Sequence, residues 1–155
     1  MSLTFHTSPA KLAKPSFVRS ILELLGVVFF RFRPVPRVWA SWLVAVNGAS
    51  LAFISTVEAQ VVLVVTVVVV LLQSLAYQRT GFTRILGITH YGWIPMFAWL
   101  GMRLDHILLN HPLAMWLAIL LATNTVSLVI DTVDVARFLR GERRPHYHWT
   151  KSEAT

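Results

Sequence analysis

Four stretches without a single Asp, Glu, Lys or Arg dominate the pattern along the chain: 38 to 57, 59 to 78, 85 to 102 and 106 to 130, which are 20, 20, 18 and 25 residues long. A helix rises about 1.5 Å per residue, so about 20 apolar residues cross a hydrocarbon layer roughly 30 Å thick. The pattern therefore predicts an all-α membrane protein, a bundle of four transmembrane helices over residues 34–140. The first span is expected near Val38 to Val57. Within it Ser41, Ala45, Gly48, Ala49 and Ala52 follow i, i+4, i+7, i+8 and i+11, a small-residue face that lets another helix backbone approach closely. Trp39 and Trp42 mark one end of this span as an aromatic belt.

The second span is expected from Gln60 to Tyr77. Eight of the ten residues from 61 to 70 are Val, but the uninterrupted apolar length favours a lipid-facing helix over a buried strand. The third, near Ile85 to Met102, contains Gly87, Gly92, Pro95 and Gly101. Pro95 removes the hydrogen bond to the carbonyl of Tyr91, which predicts a kink there. The fourth starts at Pro112, a good first-turn residue, and its pattern runs to Arg140 before Gly141. At about 42 Å it is long enough to emerge from the bilayer.

Residues 1–15 read as a flexible N-terminal segment and 141–155 as a cytoplasmic tail. No basic segment followed by an apolar stretch and a small-residue cleavage site opens the chain, so no cleaved signal peptide is expected. Residues 16–33 carry a short apolar run interrupted by Glu23 and flanked by arginines, too short to span, and predict an interfacial amphipathic helix. Ser20 with Glu23 three residues later matches a capping box, and Pro34 and Pro36 turn the chain into the membrane.

Composition narrows the class. Charged residues make up 14% of the 155-residue chain, against about 25% in a soluble domain, which leaves too few to coat a water-exposed surface and excludes a soluble enzyme. The net charge of +7 acquires meaning from its placement. With both termini cytoplasmic, 13 of the 14 Lys and Arg lie inside and only Arg103 outside, as the positive-inside rule requires. The expectation is thus a multi-pass protein of a bacterial inner membrane, in contact with anionic headgroups on the cytoplasmic side, with no nucleic-acid partner. The chain has no cysteine, which removes disulfides, thiolate catalysis and Cys-based metal sites.

Polar groups inside spans are costly and are the first candidates for function. On the fourth span Asn124, Ser127, Asp131 and Asp134 follow i, i+3, i+7 and i+10, one stripe leading from mid-membrane toward the cytoplasm. Asn47, Gln73 and His90 sit on the first, second and third spans at comparable depth. These residues with Asp131 predict a cytoplasm-facing polar cavity with two titratable groups, or alternatively interhelical hydrogen-bonding glue. Asp134, Arg137 and Arg140 form a cytoplasmic charge cluster in which Asp134 and Arg137 are spaced to pair, while Asp131 and Asp134 can also attract the arginines at the start of the first span or in the 79–84 loop. Asp105, His106 and His111, and the His146 and His148 pair, lack the spacing of a closed site, so no metal is expected. No catalytic constellation and no pair of haem ligands is visible, so no cofactor is expected either. The leading functional expectation is a non-enzymatic homo-oligomeric or accessory subunit of an inner-membrane complex, partnered by itself or other membrane proteins. The alternative is a small transporter or channel built on Asn47, Gln73, His90, Asn124, Ser127 and Asp131.

Overall fold

The computed structural model describes residues 16–147, and over them the chain is mostly helical, with no strand. The helices are α1 (Phe17–Gly26), α2 (Pro34–Gly48), α3 (Val57–Thr80), α4 (Trp93–Met102), α5 (Leu104–Leu108) and α6 (His111–Leu139). Two of them, α3 and α6, are long and apolar enough to cross a membrane, with windows of mean hydropathy 2.4 and 2.1. The predicted segment 1–15 and the end of the tail from 148 lie outside the described residues.

The expected first and third spans are not single α-helices. Helix α2 changes at Ala49–Phe53 into a 3₁₀ helix, and α4 is preceded by a 3₁₀ run over Arg84–Gly92. The 3₁₀ run is nine residues long, where more than three or four is uncommon. Pro95 explains part of this: it lacks the N–H that would bind the carbonyl of Tyr91, so the predicted kink is realised as a change of pitch at Gly92–Trp93.

Helix α1 begins one turn before the predicted capping box. The Ser16 hydroxyl accepts from Arg19 N at 3.3 Å, while Ser20 lies inside the helix and donates to the Ser16 carbonyl at 3.1 Å. Glu23 is drawn away from any cap, because Oε1 accepts from Arg19 Nε at 2.7 Å and Oε2 from the Tyr77 hydroxyl at 3.3 Å. Ser20, Glu23, Leu24 and Gly26 are buried on the side that meets α3, while Val18 and Leu22 on the other side are exposed. A π-helical turn over Val27–Arg31 then leads to Pro34, which opens α2 in its first turn. For α6, the Asn110 side chain caps the N-terminus by accepting from Leu113 N at 3.3 Å, with Pro112 in the first turn, and Gly141 follows the C-terminus at φ +113°.

Around the bundle α2 touches α3 and α6, and the 3₁₀ segment lies between α3 and α6. One half is a dry core of Val46, Val62, Leu100, Leu113, Leu117 and Leu120, with Trp116 stacked on Phe53 at 5.0 Å. That half is tied at its end by Glu58, buried in the first turn of α3, which accepts from Arg103 Nε at 2.7 Å. The other half is open, and the polar residues stand there.

Candidate functional site

The site begins where the dry core ends. Asn47 and Asn124 exchange amide hydrogen bonds of 2.9 and 3.1 Å, both side chains buried, and the Thr66 hydroxyl donates to Asn47 Oδ1 at 3.4 Å. Beside them Trp42 Nε1 donates to the Thr123 hydroxyl at 3.2 Å and Trp116 Nε1 to the Val46 carbonyl at 2.9 Å. Together these bonds pin α2 to α6. Satisfied on both sides, the Asn pair has the character of interhelical glue.

Nearer the open end, α3, the 3₁₀ segment and α6 bring together Gln73, His90 and Asp131. His90 Nδ1 lies 2.7 Å from Asp131 Oδ2, Gln73 Nε2 lies 2.9 Å from His90 Nε2, and Ser127 donates to Asp131 at 3.4 Å. The contacts around the ring fit two hydrogen-bonding arrangements. With the Gln73 amide nitrogen donating to Nε2, the ring is neutral and its one proton, on Nδ1, is donated to the carboxylate. Turning the amide over presents Oε1 as an acceptor for Nε2–H, which suits the imidazolium equally well. The imidazole also stacks on Trp93, with ring centroids 4.4 Å apart.

The 3₁₀ segment approaches α6 this closely because of Gly87. A Cβ at that position would stand 2.6 Å from Asp131 Oδ1 and 2.8 Å from its Cβ, so only glycine leaves room for the carboxylate against the segment's backbone.

These groups line a cavity of about 680 Å³ in the bundle's open half, bounded by α1, α2, α3, the 3₁₀ segment, α6 and the C-terminal residues. Its walls are mainly apolar and aromatic, with Trp39, Leu43, Val69 and Trp93 among them, and Asn47, Gln73, His90, Ser127 and Asp131 supply polar points. Asn124 is excluded from the lining and sits behind Asn47. Two further polar groups on the lining residues lack partners: the indole N–H of Trp93 and the hydroxyl of Thr83, both buried. An unpaired buried donor costs about 1–3 kcal/mol, and both atoms are closed off from the cavity space.

Residues 142–147, where the sequence predicts a polar, flexible tail, pack at the mouth, and His146 and Tyr147 line it. His146 N donates to the Phe82 carbonyl at 2.9 Å, and the rings of Phe32, Phe82 and Tyr147 meet edge to face at 4.8 to 5.8 Å. The charge cluster is arranged differently from its expected i, i+3 pairing. Asp134 pairs with Arg84, while Arg137 pairs with Glu142 at 2.9 Å and Arg84 Nε also reaches Glu142 at 3.1 Å. Arg140 is exposed. The hydrogen bond from Arg137 holds the Glu142 carboxyl below its ordinary value, helped by the charges of Arg137 and Arg84. Partial burial, and then the positive charge of Arg84, push the His146 imidazole below its ordinary value.

The small-residue face of α2 is elsewhere. Ala45 and Ala52 are exposed and a Cβ at Gly48 would meet nothing within 4 Å, so among the described residues no helix covers that part of the face, while Ser41 is half-buried and Ala49 packs against the apolar core. Sequence pattern pointed to Gln73, His90 and Asp131 through their polarity inside apolar stretches. It missed Gly87, Trp93 and Thr83, whose roles arise from close approach and from a missing partner, neither of which has a sequence signal. No family model, no curated protein and no solved structure matches the chain, so the site's geometry alone carries the functional argument.

Proposed function

We propose that the chain is a non-enzymatic four-span membrane protein that takes a small amphipathic molecule into a cavity open to the cytoplasmic side, as a carrier or receptor. The cavity carries the reading: about 680 Å³, mostly apolar, with a few polar groups aimed at one region, which is the size and character of small-molecule sites. Membrane residence is supported by exposure. Only 22% of the apolar window of α3 and 39% of that of α6 is buried, so Val64, Val67, Val68, Leu71 and Leu72 need an apolar surround. The composite elements support four crossings, because a 3₁₀ turn rises about 2.0 Å per residue: α2 with its 3₁₀ extension reaches about 32 Å, and the 3₁₀ segment with α4 about 33 Å. The distribution of Lys and Arg supports a bacterial inner-membrane orientation with the termini, and the cavity mouth with them, cytoplasmic.

The dry core beyond Asn47 and Asn124 favours one-sided access over an open channel. A second reading, a homo-oligomeric or accessory subunit, is supported by the uncovered face at Ala45, Gly48 and Ala52, and it is compatible with a ligand site in each copy.

Access tests the reading, and the absence of cysteine makes single-cysteine variants clean. Leu43→Cys, in the cavity wall, should react with a membrane-impermeant methanethiosulfonate cation applied to the cytoplasmic face of vesicles and not to the other face. Leu117→Cys, in the dry core, should react from neither. A Leu43→Cys protein inert from both faces would mean a sealed interior and leave only the subunit reading.

A further inference from the structure

The charges around the cavity are unevenly compensated. At the mouth Arg84 and Arg137 are matched by Asp134 and Glu142 through the pairs described above. Deeper in, the one ion-pair partner of Asp131 among the described residues is His90, and both side chains are about 15% exposed or less. The other groups facing this pair are few. Helix α6 adds Asp134 toward the mouth, the 3₁₀ segment adds Arg84, and the end of α2 adds Arg33. The C-terminal segment adds His146 and Glu142, while α3 brings Gln73 and, one turn on, Tyr77, whose hydroxyl is bonded to Glu23 of α1.

A carboxylate in an apolar cavity requires a counter-charge, because an uncompensated ion in a low-dielectric surround is strongly disfavoured. Arg33 and Arg84 line the same cavity without an ion pair to Asp131, so at the carboxylate itself two species supply it: a proton on His90, or a cation from outside. The Gln73 amide satisfies either state of the ring, so exchanging one counter-charge for the other breaks no hydrogen bond. The walls favour an organic cation over a hydrated metal ion, since most of the lining is apolar and Trp39 adds an aromatic ring to it. The cavity also reaches the outer flank of the bundle: Val44 of α2 and Ile130 of α6 line it and are 48% and 46% exposed.

Resting on the cavity reading above, we propose that the ligand is a lipophilic organic cation that exchanges for a proton at the His90–Asp131 pair. Charge balances: the cation enters beside the Asp131 carboxylate, the proton leaves the imidazolium, and the net charge of the cavity is unchanged.

Tetraphenylphosphonium and tetraphenylborate, alike in shape and opposite in charge, test this with the full chain in phosphatidylcholine nanodiscs. Expected are binding of the phosphonium and not the borate, followed by tryptophan quenching, and release of about one proton per cation in weak buffer. The apparent Kd should rise up to about tenfold per pH unit on acidification through the range where the pair is protonated. Asp131→Asn should remove the proton release and weaken phosphonium binding by about 10-fold or more. Because that variant can also lose packing against Gly87, the proton count on the unaltered protein decides alone. Equal binding of both ions, or phosphonium binding without proton release, overturns the exchange and leaves the cavity reading standing. Binding of neither ion overturns the exchange, and only a Leu43→Cys variant inert from both faces removes the cavity reading as well.

Discussion

Gly87→Ala tests how the site is held together. The added methyl would meet Asp131 Oδ1 at 2.6 Å, Cβ at 2.8 Å and Cγ at 3.0 Å. A rotamer change moves Oδ1 and Cγ but not the Asp131 Cβ, which is fixed to the backbone, so the 2.8 Å contact remains. The 3₁₀ segment and α6 must separate by about half an ångström or more to restore ordinary contact. Overpacking of this kind costs about 1–3 kcal/mol. For a chain of this size that corresponds to a fall in Tm of roughly 3–10 °C. The separation also stretches the 2.7 Å bond between His90 and Asp131. The assay is thermal unfolding of purified protein in mild detergent, followed by tryptophan fluorescence. Gly101→Ala serves as the control, because a Cβ there meets nothing within 4 Å and alanine is the better helix former by about 1 kcal/mol. Gly101→Ala should match or exceed the unaltered protein. If Gly87→Ala melts together with that control, the close approach that places Asp131 is wrong.

Three other outcomes follow from the same contacts. Asn47→Ala and Asn124→Ala each orphan a buried amide and should each cost about 1–2 kcal/mol, and a double-mutant cycle should return a coupling of about 0.6–1.7 kcal/mol; strict additivity would deny the reciprocal pair. The closure of the mouth should weaken in acid: His146 has its folded value depressed, so the released segment takes up the proton as the pH falls below about 6.5, and stability is fully present only above that. Glu142, also depressed, adds a further loss as the pH falls below about 4.5 through its folded value. A nitroxide on Arg144→Cys should thus be more mobile at pH 5.5 than at pH 8, and an unchanged spectrum would count against the docking. Tyr147→Ala removes the ring shared by Phe32 and Phe82, so it should raise the rate of cytoplasmic modification of Leu43→Cys severalfold, whereas an equal rate would show that the segment does not cover the mouth.

Helices α3 and α6 were legible from long charge-free stretches: Glu58 and Arg79 bracket one and Asp105 and Asp131 the other, and Pro112 and Gly141 mark the ends of α6. The composite elements were not, because an apolar run reads alike whether its pitch is α or 3₁₀, and the choice at Arg84–Gly92 is bound up with the fit of Gly87 against Asp131. Glu23 misled for a similar reason. Its distance from Ser20 fits a capping box, but Ser16 and Arg19 offer the same chemistry one turn earlier and Tyr77 claims the second oxygen. The docking of residues 142–147 was hidden because Phe32, Phe82 and Tyr147 are far apart in sequence and unremarkable singly. In the site, polarity inside apolar stretches identified Gln73, His90 and Asp131, yet the same signal identified Asn124, which turns away from the cavity to serve Asn47.

Native mass spectrometry of the protein released from its own membranes tests the central claim most directly, that the cavity holds a small molecule. Leu43→Trp fills that space from the wall of α2 without altering any of the polar groups. The account predicts a bound small molecule, one per copy of the chain, on the unaltered protein and its loss from Leu43→Trp. Identical spectra with no bound species on either protein would contradict it.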